Sequence, residues 1–182
     1  MKRMIPVVLT ILAVSAGAFA QGTTDPIEKP LLAAPPQMKA EATVIKWKPD
    51  FTYETLKKGT NRLVCYDRTG QPGQQPFAVE CTSIANLDRV AESLKMETIA
   101  DKKEQQAAFE AAEKAGKWTK PEFGSLWIHM SGPDQEHARK HVTIAVPGAT
   151  TQSLGLPDNN KQGGVWIMNA GSTAAHLMTP GS

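Results

Sequence analysis

Arg62-Leu63-Val64-Cys65-Tyr66 and Phe77-Ala78-Val79-Glu80-Cys81 decide how this 182-residue chain is read. Both runs favour strand, and the second alternates, with Phe77, Val79 and Cys81 on one face. Thr69 to Pro76 between them is a Gly/Pro/Gln loop. The pair reads as a long-looped hairpin that carries the chain's 2 cysteines. In an oxidising compartment such an even pair reads as one disulfide. Closing a loop of roughly 15 residues contributes about 3 kcal/mol in the chain-entropy model. A redox-active or metal-bound pair is the alternative, but the spacing is not C-x-x-C and further zinc ligands are not close by.

Outward from the hairpin, Thr43-Val44-Ile45-Lys46-Trp47 is a strand ended by Pro49, and Lys58-Gly59-Thr60-Asn61 is a turn. Leu87, Val90, Ala91 and Leu94 recur at helical spacing, with Ser83 or Asn86 as cap. A second helix, or the continuation of a bent one, fits Asp101 to Ala115, with Asp101 as N-cap and Gly116 as stop. Leu126, Ile128 and Met130 alternate with Trp127 and His129. Val142, Ile144 and Val146 alternate with His141, Thr143 and Ala145. Val165-Trp166-Ile167-Met168 is a continuous apolar run, as in a strand covered on both faces. The sum is α+β: an antiparallel sheet of about five or six strands with a helical insertion packed on one face.

The N-terminal residues read as an address. Met1-Lys2-Arg3 is basic, Ile5 to Val14 is apolar, and Ala18-Phe19-Ala20 is an A-x-A cleavage site before Gln21. Residues 1–20 are therefore expected to be a signal peptide, residues 21–41 a Pro-rich flexible leader, and residues 42–182 a single globular domain. Removing Lys2 and Arg3 lowers the basic count from 20 to 18, equal to the 18 acidic residues. A neutral mature chain lacks the basic excess that nucleic acid or anionic lipid requires. No stable membrane insertion is expected after cleavage, and the location is periplasmic or secreted.

Three stretches carry a resemblance. They are Gly59-Thr60-Asn61 followed by Cys65, then His141-Val142-Thr143-Ile144, then Trp166 to Gly171 running on to Ala175-His176-Leu177-Met178. Together they resemble a family of uncharacterised bacterial secreted proteins with a signal peptide, a G-T-N-x-x-x-C start, a second Cys, an H-V-x-I strand and an A-H-L-M finish. The resemblance implies an extracytoplasmic location. It carries over no catalytic residue.

The candidate chemistry is sparse. His129, His137 and His141 sit on two adjacent strand candidates and their connection, where three imidazoles would suit zinc or copper. Asp134 and Glu136 are possible oxygen ligands, while Arg139 and Lys140 would repel a cation. The bland reading is a solvated hairpin tip. His176 with Met178 raises copper again, but the 5 methionines left after Met1 and Met4 are dispersed as packing residues are. Ser125 and Ser172 lie near glycines without a G-x-S-x-G elbow, and no phosphate-binding glycine motif is present. Trp47, Trp127 and Trp166 read as core or rim. Trp118, in Lys117-Trp118-Thr119-Lys120-Pro121, reads as an exposed loop aromatic and a hint of a contact surface. Two classes stay open: a non-catalytic binding or structural module for a small molecule or protein, with no cofactor, and a metal-binding protein or metal-dependent enzyme using the histidines.

Overall fold

Cys65 and Cys81 face each other directly on two antiparallel strands and form a disulfide. The computed structural model in which they do so describes residues 24–180. The signal segment and the Ala20–Gln21 cleavage position lie outside the described residues. Strands β1 (Thr43–Trp47), β2 (Tyr53–Lys57), β3 (Leu63–Asp67), β4 (Phe77–Ser83), β5 (Leu126–Gly132), β6 (Arg139–Ala145), β7 (Trp166–Met168) and β8 (His176–Met178) form one open sheet. Their order is β2-β1-β3-β4-β5-β6-β8-β7. Helices α1 (Pro36–Lys39), α2 (Leu87–Glu97), α3 (Lys102–Lys114) and α4 (Thr151–Leu154) complete an α+β fold. No helix among the described residues is long and apolar enough to cross a membrane.

The sheet is larger than the expected five or six strands, and it is mixed. Strand β2 was hidden because Tyr53-Glu54-Thr55-Leu56-Lys57 is polar and its first three residues are exposed at the sheet edge. Strand β8 is three residues long and lacks a period to detect. The departure from an antiparallel sheet is β1 on β3, which run parallel. After β2 the chain must pass to the other side of β1, and it does so through Gly59. A Cβ there would lie 2.1 Å from the Glu41 carbonyl oxygen, so only glycine allows the crossing. The Thr60 and Asn61 N–H groups then donate to that carbonyl at 2.9 and 3.1 Å. The G-T-N stretch is thus a backbone-passing device. Val165–Met168 also departs from expectation: β7 is an edge strand, and Met168 is exposed.

Both faces of the central strands are covered. On one face Cys65, Val79, Cys81 and Ile128 pack beneath Leu31, Ala33 and Ala34. Residues 21–41 are expected to be a flexible leader with the folded unit starting near Ala42. Their described part instead includes a 3-10 turn (Pro30–Leu32) against β3 and β4, with Leu31 3% exposed. Lys29 Nζ anchors it to Asp67 Oδ2 at 2.8 Å, and Asn61 Nδ2 donates to Met38 O at 2.8 Å. Four prolines masked the segment, because Leu31-Leu32-Ala33-Ala34 is too short to show a period. On the opposite face Leu87, Val90 and Leu94 of α2 pack on Ile45, Val64 and Tyr66. Asp101 caps α3 as expected, its carboxylate accepting from the Lys103 and Glu104 N–H groups. Yet α3 buries no residue and lies against α2 rather than on the sheet.

The buried strap generates a prediction. Leu31→Ala removes an almost fully buried side chain from the core that holds the disulfide, and should cost about 2–5 kcal/mol. Denaturant unfolding at unchanged m-value measures it. A loss under about 0.5 kcal/mol, the range of an ordinary surface substitution, would mean that the segment does not pack there.

Candidate functional site

The antiparallel pairing of β5 and β6 places His129 directly opposite His141, on the row that continues through Glu80 and Tyr66. His137 stands apart at the connection, with Nδ1 2.8 Å from Asp134 Oδ1 and its side chain exposed. Among the described residues no three His, Cys, Asp or Glu side chains gather as metal ligands would. The His129–His141 pair also faces a cation. Arg68 is 5% exposed and reaches Glu80 Oε2 at 3.1 Å and Glu97. Tyr66 Oη donates to Glu80 Oε1 at 2.9 Å. Burial opposes the Arg68 charge, but Glu80 and Glu97 outweigh it and hold its pKa above the usual arginine value. This cluster is self-satisfied and ties α2 to the sheet.

A different cluster opens on a cleft. Arg89, on α2, is 4% exposed, but among the described residues it has no carboxylate within ion-pair distance. Its guanidinium lies over the Trp118 ring, with Cζ 3.6 Å from the ring centroid, and Phe109 of α3 packs against the same indole with ring centroids 5.0 Å apart, tilted by 51°. Nη1 donates to Thr119 O at 2.6 Å and to Thr173 Oγ1 at 3.2 Å. Two nearby carboxylates are engaged elsewhere. Glu92 accepts from Thr119 N and Oγ1, and Glu113 accepts from Thr173 N and Oγ1. Burial therefore dominates, with Glu113 and Glu92 compensating only in part, and the Arg89 pKa is pushed down to about 10. It is still a cation at neutral pH.

The cleft has an inner chamber of about 250 Å³ and an outer groove of about 530 Å³, which share Trp118, Asn169 and Ala174. The inner chamber is bounded by Arg89, Trp127, Pro121, Ala175 and His176. His176 Nδ1 lies 2.8 Å from Ala174 O, so Nδ1–H donates and the neutral ring offers Nε2 as acceptor. The wall formed by residues 169–175 is built tightly. Asn169 takes a left-handed φ of 53°, which asparagine tolerates, and the Gly171 N–H donates to Ala149 O at 2.7 Å. The outer groove carries Glu110 and Glu113.

Trp118, expected as an exposed loop aromatic, is half-buried beneath a buried arginine. Among the described residues no serine hydroxyl bonds to a histidine ring. Ser125 Oγ donates to Glu122 O and Ser172 Oγ donates to Asn169 O. Sequence reasoning overlooked Arg89, Asn169 and Thr173. One signal was present: Asn86, Arg89 and Ser93 form a polar i, i+3, i+7 row beside the apolar stripe of α2. Comparison with protein-family models, with curated proteins and with solved structures finds no match to this chain.

His129 and His137 are shifted in opposite directions. Burial pushes His129 below the ordinary imidazole pKa of 6.5; Glu80 opposes this, and Arg68 and His141 add to it. The hydrogen bond and charge of Asp134 raise His137 above the same value. NMR titration should find His137 the last of the two to lose its proton as pH rises, and Asp134→Asn should bring it down. Because the folded state disfavours protonated His129, its stability contribution is full above pH 6.5 and is lost as pH falls below it. His129→Gln should flatten that acid limb. A steeper or unchanged limb would contradict the assignment.

Proposed function

We propose that this protein is an exported, non-catalytic binding module whose ligand sits in the Arg89–Trp118 cleft. One observation carries the reading: Arg89, 4% exposed and without an ion-pair partner among the described residues, opens on a chamber walled by indole rings. A buried cation with no carboxylate to answer it is costly for folding alone, while at a binding site it supplies specificity. Ser125 and Ser172 each donate to a backbone carbonyl, and among the described residues no three possible metal ligands gather, so the reading rests on binding rather than on a catalytic constellation. Export is supported by the A-x-A pattern, the disulfide and the resemblance of the G-T-N, H-V-x-I and A-H-L-M stretches to secreted proteins.

Two measurements test this. A thermal-shift screen of small ring-bearing compounds should yield ligands that raise Tm, leave the mixture without new products by mass spectrometry, and lose their effect in Ala174→Leu, which fills the shared wall of both chambers. Ligands unaffected by that variant, or compounds consumed on incubation, refute the reading. Intact mass and terminal sequencing of protein from its own cell should find Gln21 first and no free thiol. Uncleaved, reduced protein in the cytosol refutes export.

A further inference from the structure

We propose that the ligand is a small organic monoanion, a carboxylate on a flat apolar body, seated with its charge against Arg89 in the inner chamber. The inference rests on the cleft reading and adds the ligand's chemical class. It starts from the way the guanidinium is used. Both of its hydrogen bonds leave from Nη1. Among the described residues neither Nε nor Nη2 has an acceptor. These two nitrogens form one edge of the planar fork, the edge that receives a carboxylate through two parallel N–H···O bonds. Stacking on Trp118 occupies the face of the guanidinium and leaves that edge unused.

The surroundings narrow the class. The inner chamber is lined mainly by Trp118, Trp127, Pro121, Ala145 and Ala175, which suit a flat apolar group. It has no acidic lining residue, whereas the outer groove has Glu110 and Glu113. The carboxylate therefore lies at Arg89 with its apolar body on the chamber's own Trp118 and Trp127 walls, away from Glu110 and Glu113 of the outer groove. A phosphate dianion would ask for more donors than one arginine edge, and the chamber offers no second cationic side chain except His176 when protonated. Glu113 and Glu92 cannot take the anion's place, because each is held on a threonine N–H and hydroxyl. The Trp118 indole N–H, buried and without an acceptor among the described residues, adds an unsatisfied donor to the same cluster.

The test compares acids with their uncharged isosteres on the full mature protein. Phenylacetate and indole-3-acetate are titrated beside phenylacetamide and indole-3-acetamide, read by calorimetry and by tryptophan fluorescence. The acids should bind about 10- to 100-fold more tightly than the amides, the range of a charge-assisted hydrogen-bond pair. Arg89→Gln should abolish the difference, and Ala174→Leu should block both series. Equal affinity of acid and amide in the wild type, with Ala174→Leu still blocking both, overturns the monoanion assignment and leaves the cleft reading standing. Absence of binding by all four overturns both. The wild-type comparison needs no variant, so a poorly folding Arg89→Gln does not rescue the proposal.

Discussion

Strand β4 is buried at all seven of its positions, and the rest of the molecule is arranged around that constraint. A strand alternates its side chains between faces, so complete burial requires a cover on each side. The cover on one face is α2, whose Leu87, Val90 and Leu94 meet the row of Ile45, Val64 and Tyr66. On the other it is the strap of Leu31, Ala33 and Ala34, which lies over Cys65 and Cys81. The disulfide sits at the centre of that second layer, where a small apolar covering suffices. At about 3 kcal/mol in the chain-entropy model, the cross-link supplies stability comparable to one large buried side chain.

Two buried arginines show what the fold needs and what it does not. Arg68 meets Glu80 and Glu97 and joins α2 to the sheet, so its charge is answered within the protein. Arg89 is carried by α2 itself at similar burial, yet its neighbours Glu92 and Glu113 are turned to Thr119 and Thr173. A merely structural cation would gain most from one of those carboxylates, which sit close enough to raise its pKa but do not touch it. The arrangement keeps the guanidinium rigid, stacked and charged while leaving one edge unused. That arrangement supports the proposal that Arg89 is a preorganised recognition group.

Much of this was legible in the residues, and the failures have separate causes. Period-2 alternation located β4, β5 and β6, and the i, i+3, i+4 stripe located α2, because in each case one face is apolar and the other polar. Opposite cysteines on a hairpin needed only the spacing of two β-rich runs. Polar β2 and three-residue β8 escaped because their strand character comes from pairing, not composition. Proline content hid the strap, since four short apolar residues gain their meaning only from the surface below them. The histidines were the conspicuous titratable residues, but strand register pairs His129 with His141 and sends His137 to Asp134. Arg89 was inconspicuous because a charged residue on a helix ordinarily faces water, and burial cannot be read from a single position.

The helical layer separates fold from function. Helix α3 buries no side chain, so the sheet and its two covers are complete without it. Helix α3 is held by α2, where Gln105 Nε2 donates to Glu97 O at 3.0 Å, and by the cleft: Phe109 against Trp118, and Glu113 on the Thr173 N–H and hydroxyl. Thr173 belongs to the wall that leads into the Ala175-His176-Leu177-Met178 stretch, and the same threonine receives Arg89 Nη1. Helix α3 thus contributes no buried side chain to the core, yet Trp118 and Thr173 fix it beside the cleft, where its Phe109, Glu110 and Glu113 form one wall. That wall is what the proposed binding reading draws on, because a packing gap in the sheet would need none of its own.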